Sequence, residues 1–295
     1  MRPSFVLPAY AKINLALDVL HRRPDGYHEV ETVMQNIALH DLVSFQVTAG
    51  KEIELYCRHP GVPAGADNIA YQAALLLQQR YKVQKGVRIE ITKRIPVAGG
   101  LAGGSADAAA TLKGLNRVWN LGLTNAELMA VSVELGADVP YCLTGGTCLA
   151  RGIGEVLTPL TPVPSCWVVL AKPPGGLSTA EVYRRFKVNE VKQRPNIAAL
   201  LHAIEKQSLA GVAAHVGNVL QEVSIKMMPQ IATLQAEMLA WGAEASLMTG
   251  SGPTVFGLFY REKEAEATAE ALKSHFPTSE IIVTHTMEPN FLDPH

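Results

Sequence analysis

A chain of 295 residues with 48% apolar and 18% charged side chains has material for two packed domains. Its formal net charge of −1 speaks against a broad nucleic-acid or anionic-membrane surface, so an anion site has to be assembled locally from a few cations and backbone amides. Cys57, Cys142, Cys148 and Cys166 form no Cys-x-x-Cys pair and read as buried free thiols rather than a zinc site, which points to a reducing, cytoplasmic setting. Residues 1–10 lack the apolar core of a signal peptide, and no stretch has the length of a membrane span without charge or helix breakers.

In chain order, apolar residues predict a strand over 13–20, a hairpin turn at Arg23-Pro24-Asp25-Gly26 and a returning strand from Tyr27 to Val33. Another strand is expected over 42–47. Asp67 and Asn68 cap a helix over 69–80, with Ile69, Ala73, Leu76 and Leu77 on one face. Residues 87–91 alternate as a strand, and a glycine-rich loop over 97–104 follows. Ser105 opens an alanine-rich helix reaching Trp119. Thr124 and Glu127 form a capping box for a helix that ends at Gly136, with Asp138-Val139-Pro140 just beyond it. Residues 144–149 read as a strand. Pro159, Pro162 and Pro164 mark a boundary, giving domains 1–163 and 164–295. The second begins with a strand over 167–171. Helices are expected over 179–185, 197–205, 210–223 and 228–241, and strands over 245–248 and 254–259 joined by a Gly-Ser-Gly turn. A helix over 262–274 and a strand over 280–284 complete it. Both halves are α+β.

The sharpest chemical signal is Pro96-Val97-Ala98-Gly99-Gly100-Leu101-Ala102-Gly103-Gly104-Ser105-Ala106-Asp107. Glycines let backbone amides approach a phosphate closely, and a helix N-terminus adds unpaired N–H groups with partial positive charge. The spacing fits neither a Walker A loop nor the dinucleotide fingerprint. Ser105 is placed to cap the helix or to touch a phosphate or its Mg²⁺. Lys12, inside an apolar strand, is either an edge lysine facing water or a paired functional cation. Asp138, read as lying past a helix C-terminus where extra negative charge is disfavoured, is either a turn aspartate or one that wants a cation nearby. Tyr27 and His28 form either an ordinary cross-strand pair or an aromatic and hydrogen-bonding platform for a base. The turn Thr249-Gly250-Ser251-Gly252-Pro253-Thr254 either approaches a ligand or closes a hairpin.

Together, the Pro8–Leu15 segment, the glycine loop and the Gly250-Ser251-Gly252-Pro253 turn resemble, in order, the three motifs of the GHMP family of small-molecule kinases. The resemblance implies a two-domain architecture: an N-terminal ribosomal-protein-S5-like domain, 1–163, for ATP binding and catalysis, and a C-terminal ferredoxin-like α/β sandwich domain, 164–295, completing the substrate site. Arg23-Pro24-Asp25-Gly26-Tyr27-His28 and Gly136-Ala137-Asp138-Val139-Pro140 resemble a branch that phosphorylates the 2-hydroxyl of a cytidine-diphosphate-linked methylerythritol in non-mevalonate isoprenoid synthesis. It implies that Asp138 accepts the hydroxyl proton, and that Lys12 pairs with Asp138 and the hydroxyl or γ-phosphate. It further implies that 99–105 hold the phosphates of ATP, that Asn68 and Lys93 lie near the adenosine, and that Mg²⁺ accompanies ATP. Tyr27 and Tyr183 would sandwich cytosine, His28 and Asn14 would bond the cytidine side, and Thr179 would sit at the substrate end. Homoserine or mevalonate kinases, an RNA-binding module and an inactive sensor are the competing readings. Near-neutral charge counts against RNA, and the presence of both Lys12 and Asp138 against the sensor.

Overall fold

The computed structural model describes residues 5–287. They pack as two compact units, one made of 5–11, 39–97 and 102–144, the other of 12–38, 98–101 and 145–287. The division is not a single cut near the prolines, because two long strands contribute residues to both: β1 (Phe5–Arg22) and β2 (His28–Thr48).

β2 is one 21-residue strand where two shorter ones were expected. The stretch between them, 34–41, joins the strand, and the buried side chains of Gln35 and Asn36 within it are satisfied in place. Gln35 Nε2 donates to the carbonyls of Asn36 and Met287, both at 2.8 Å, and Asn36 Oδ1 accepts the Gly146 N–H at 2.8 Å. Buried polar groups with partners do not end a strand.

The first unit continues with β3 (Ile53–Cys57), which was not anticipated, α1 (Ile69–Arg80) and β4 (Gly86–Thr92). β4 lies between β3, parallel, and β2, antiparallel from Leu42 opposite Thr92 to Thr48 opposite Gly86. The helices α2 (Gly103–Val118), α3 (Asn125–Ser132) and α4 (Val139–Thr144) follow. Small residues set the packing: Ala70, Ala73 and Ala74 of α1 and Ala106, Ala108, Ala109 and Ala110 of α2 are all buried in one core with Phe45, Ile89 and Leu112. A Cβ on Gly114 would lie 2.3 Å from the Phe45 ring, so α2 reaches β2 only because that side chain is missing. The expected capping box is formed, Thr124 N–H donating to Glu127 Oε2 at 2.8 Å.

The helix expected to run to Gly136 stops at Ser132, and Gly136, with φ +158°, is extended rather than left-handed. Asp138 therefore does not follow a helix C-terminus. It immediately precedes α4, and its carbonyl accepts the Cys142 N–H at 3.1 Å. A helix start favours negative charge, which reverses the sign of the local field read from sequence.

The second unit adds β5 (Thr147–Arg151), β6 (Val156–Pro159), β7 (Trp167–Lys172), α5 (Thr179–Arg185), α6 (Ile197–Glu205), α7 (Leu209–His215), β8 (Gly217–Asn218), α8 (Gln221–Met227), α9 (Gln230–Ala240), β9 (Ala245–Met248), β10 (Val255–Phe259), α10 (Glu262–His275) and β11 (Glu280–His285). A four-stranded sheet runs β11-β7-β10-β9, every pair antiparallel, with α9 and α10 packed on it: the ferredoxin-like order. Its core gathers Val169, Ala171, Leu234, Met238, Val255 and Leu272 together with Leu17, Val19 and Val30. The helix expected over 210–223 is broken into α7 and α8, because Gly217 and Asn218 pair with Ala16 and Leu17 of β1. All four cysteines are free; Cys148 and Cys166 are buried as expected, whereas Cys57 and Cys142 are half-exposed. Among the described residues no helix is long and apolar enough to cross a membrane.

Candidate active site

In the second unit, residues from all three sequence motifs meet in one hydrogen-bonded knot. Lys12 is 3% exposed on β1, and its Nζ donates to Asn14 Oδ1 at 2.7 Å and to the Gly100 carbonyl at 3.1 Å. The water-facing edge reading of Lys12 is thereby excluded. Asn14 donates from Nδ2 to Thr32 Oγ1 at 2.9 Å, and Thr32 Oγ1 donates to the Ala16 carbonyl at 2.6 Å. The Asn14 backbone N–H donates to Thr249 Oγ1 at 3.0 Å, and that hydroxyl faces Asn14 Oδ1 at 3.2 Å. These bonds fix which way the Asn14 amide points and hold the ammonium at one place, although burying a long cation costs rotamer entropy.

The glycine loop is stitched into the same knot by its backbone. The Leu101 carbonyl accepts the Lys12 N–H at 3.2 Å, and the Gly99 carbonyl accepts the Thr254 N–H at 3.3 Å. Gly100 sits at φ +78°, and a Cβ there would lie 2.5 Å from the Thr249 carbonyl, so only glycine permits this approach. The turn over 249–254 is held from behind by Asn218, whose Nδ2 donates to the carbonyls of Met248 and Gly250, both at 2.8 Å. Ser224 Oγ donates to the Ser251 carbonyl at 3.0 Å, and Thr179 Oγ1 lies 2.8 Å from Ser251 Oγ. Sequence reading missed Asn218, inside the segment read as helix 210–223, and Ser224, the residue just after it. The Gly217-Asn218 pair, a helix-breaking combination, was the signal available.

The hairpin platform belongs to the same unit. The His28 ring packs against Tyr183, centroids 5.2 Å apart and planes tilted by 37°, and meets the edge of Phe186 at 6.4 Å. Burial, and then the nearby Arg22, lower its pKa and favour the neutral ring. Tyr27 stands 62% exposed at the turn, its N–H donating to Asp25 Oδ1 at 3.0 Å. Phe186 also lines a cleft of about 790 Å³ with Arg194, Asn218 and Lys226.

In the first unit, α2 begins two residues earlier than expected, at Gly103, after Ala102 in a left-handed conformation at φ +57°. Ser105 therefore lies within the first turn and does not cap it, and Ala102 offers no side-chain acceptor to the first amides. A sixteen-residue helix with such a start, exposed at Gly104, is suited to an anion. Asn68 caps α1 as expected, accepting the Ala70 N–H at 2.9 Å while Nδ2 donates to the Pro63 carbonyl at 3.0 Å. Lys93 is 5% exposed and bound to Asp41 and, at 2.8 Å, to Asp107. Burial opposes its charge but the two carboxylates outweigh this and raise its pKa. Burial pushes the Asp107 carboxyl up to about 7 against the pull of Lys93, and its Oδ1 has no hydrogen-bond partner among the described residues. Asp107 was read only as the last residue of the glycine motif, and Asp41 was not singled out; an acid beside an apolar run was the missed signal. No group of three or more His, Cys, Asp or Glu among the described residues is arranged to hold a metal ion.

Residues 68–146 match the model of the GHMP kinases N terminal domain, and residues 200–278 that of the GHMP kinases C terminal. The chain is 49% identical over 274 residues to a 4-diphosphocytidyl-2-C-methyl-D-erythritol kinase of Geobacillus thermodenitrificans, covering 92% of this chain and 93% of that one. A protein of the same name from Acetivibrio thermocellus is 50% identical over 271 residues, covering 92% and 95%. A crystal structure of a 4-(cytidine 5'-diphospho)-2C-methyl-D-erythritol kinase matches with TM-score 0.82 and 32% identity over 96% of this chain and 99% of that one. A homoserine kinase from Cytophaga hutchinsonii shares the fold, with TM-score 0.77 at 18% identity.

Proposed function

The chain belongs to the GHMP kinase family, and from that premise we propose that it transfers the γ-phosphoryl group of ATP to the 2-hydroxyl of 4-diphosphocytidyl-2-C-methyl-D-erythritol, a step of non-mevalonate isoprenoid precursor synthesis. The observation that carries this reading is the knot joining Lys12, Asn14, Gly100 and Thr249, which unites the family's three motifs. The near full-length identity to relatives of that name supports the choice of acceptor.

Transfer forms a bond from the acceptor 2-oxygen to the γ-phosphorus and breaks the bond to the bridging oxygen that leaves with ADP. The hydroxyl proton passes to the Asp138 carboxylate. Phosphoryl transfer has a loose transition state and asks mainly for positioning and charge stabilisation, so a weak base suffices. Lys12 supplies the fixed positive charge at the reacting oxygens. Residues 96–106 hold the phosphates, the uncapped amides of Gly103, Gly104 and Ser105 facing negative charge. The Ser105 hydroxyl, in the first turn of α2, would offer an oxygen to the Mg²⁺ that accompanies ATP. When bound the ion supplies neutralisation of phosphate charge.

Asn68, at the start of α1, and Lys93 serve the adenosine end indirectly, Asn68 through the helix start it caps and Lys93 through the segment it holds with Asp41 and Asp107. Tyr27 and Tyr183 take the two faces of cytosine, with His28 and Asn14 on the cytidine side and Thr179 at the acceptor end. A neutral His28 suits hydrogen bonding to an uncharged pyrimidine edge. Residues 1–163 form the ATP-binding and catalytic half and 164–295 the half completing the substrate site; the two family matches fall on either side of that line. Its setting is the cytoplasm, and its partners are small molecules rather than nucleic acid or membrane.

The test is ADP release with ATP, Mg²⁺ and a panel of acceptors: the cytidylylated methylerythritol, methylerythritol phosphate, homoserine and mevalonate. Turnover with the first alone, abolished in Asp138→Asn, is the expected result. Turnover with another acceptor overturns the substrate assignment.

A further inference from the structure

The glycine loop leaves β4 and enters α2, and both of its ends are tied to a single buried group. Asp41, its side chain fully buried on β2, accepts the consecutive backbone N–H groups of Arg94 (2.5 Å) and Ile95 (2.9 Å) through Oδ1. Those are the last residues before Pro96. Through Oδ2 the same carboxylate binds Lys93 Nζ. Lys93 reaches across to Asp107, in the second turn of α2, at 2.8 Å. Its Nζ also lies against the first residue of that helix, since a Cβ built on Gly103 would stand 3.3 Å from it. Side-chain exposure is 0%, 5% and 3% for Asp41, Lys93 and Asp107. One ammonium is thus shared by two carboxylates from different elements, away from water, where charge-assisted bonds are short and strong and a missing partner is costly.

We propose that Asp41, Lys93 and Asp107 form a clamp that closes the base of the glycine loop and positions its amides for the phosphates of ATP. This rests on the reading of 96–106 as the phosphate-binding segment. A glycine-rich segment loses much conformational entropy when it orders around a ligand, and a loop whose ends are fixed has less to lose. The three side chains are positioning residues for ATP and leave the acceptor untouched. They act on the part of the segment that carries the uncapped first turn of α2, a displacement of which is felt directly by bound phosphate.

The clamp predicts a selective effect. Lys93→Met alone strands two buried carboxylates and risks the fold, so the informative variant is the charge-compensated Lys93→Met/Asp107→Leu, in which Asp41 keeps its two amides. Steady-state kinetics with ATP, Mg²⁺ and the cytidylylated acceptor is expected to show KM for ATP raised about tenfold or more, with KM for the acceptor within about twofold of wild type. Amide hydrogen exchange over 97–102 should quicken. Asp107→Asn, which keeps an acceptor for Lys93, should hold KM for ATP within about threefold. Gly104→Ala serves as the control for the underlying reading, because a Cβ there meets nothing nearer than Ile69 Cγ2 at 3.5 Å, yet adds bulk at the helix start. If Gly104→Ala raises KM for ATP and the paired variant does not, the clamp is overturned and the phosphate loop stands. If neither changes it, the loop reading fails and takes the clamp with it. If the paired variant weakens both substrates alike, or loses its fold, the triad is merely structural and the proposal is overturned.

Discussion

Lys12 and Asn14 lie two residues apart on β1, so their side chains leave the same face of the strand, and the ammonium of one donates to the amide oxygen of the other at 2.7 Å. The pair turns a flexible lysine into a fixed charge. Lys12→Met should lower kcat roughly 10²–10³-fold, the usual loss when one preorganised donor is removed from a transition state. Asn14→Leu, which leaves the charge and removes its guide, should lower kcat about tenfold with ATP affinity little changed. A kcat within twofold of wild type for Lys12→Met would remove Lys12 from the reaction.

Gly100→Ala tests the approach of the loop to the turn. The new Cβ would stand 2.5 Å from the Thr249 carbonyl in a backbone at φ +78°. A cost of about 1–3 kcal/mol is expected, seen as a lower urea midpoint. An unchanged midpoint would mean that the loop and turn part easily.

Gly114→Ala sets two effects against each other. Alanine favours a helix over glycine by about 1 kcal/mol, but its Cβ would meet the Phe45 ring, itself 1% exposed, at 2.3 Å. Overpacking at a site with no room costs about 1–3 kcal/mol, so net destabilisation should win. Adding Phe45→Leu should restore part of it; a stabilised single variant would contradict the packing described.

Asp107 gives stability a pH signature. Its carboxyl is held near 7 in the folded protein against 3.8 in the unfolded chain. Between about pH 4 and pH 7 the folded state keeps a proton that the unfolded state has released, so this group's contribution falls as pH rises through that window and is flat above it. Asp107→Asn lacks the effect. From pH 5 to pH 7.5, urea unfolding of the wild type should lose roughly 1–3 kcal/mol relative to the variant. Parallel pH profiles would mean Asp107 is ionised throughout.

Base recognition separates from ATP binding. Tyr183→Ala or His28→Ala should raise KM for the cytidylylated acceptor roughly tenfold, in line with the loss of one stacked or bonded contact, and leave KM for ATP unchanged. Tyr27→Ala, at an exposed position, should do so without moving Tm. Equal effects on both substrates would count against a cytidine site here.

Local chemistry made much of this legible in the sequence. Helix α1 begins where Asn68 was expected to cap it, the Thr124–Glu127 box is formed, and β9 and β10 flank the Gly-Ser-Gly turn. Periodicity and turn residues report only on near neighbours, and the failures are of that kind. No local signal assigned 34–41 to a strand, because the partners that satisfy Gln35 and Asn36 there, Met287 and Gly146, lie far away in the chain. The field at Asp138 was given the wrong sign because α3 stops short and a new helix starts at Val139. In the site, motif residues such as Lys12 and Gly100 were visible, whereas Asp41, Asp107 and Asn218 matter through pairings 14 to 54 residues away in sequence, which no local pattern encodes.

The order in which the chain visits its two units bears on how the molecule can be divided. A fragment starting at 164 would lack Leu17, Val19 and Val30, which belong to the same core as Val169 and Leu234, and would lose the strand against which Gly217 and Asn218 pair. Neither piece obtained by cutting at the prolines is therefore a folding unit. Gene splitting, domain exchange between relatives or separate expression of the C-terminal half should yield insoluble chains, whereas co-expression of the two pieces gives complementation a chance. Evolution faces the same limit, since a recombination break near 163 would separate residues that pack together.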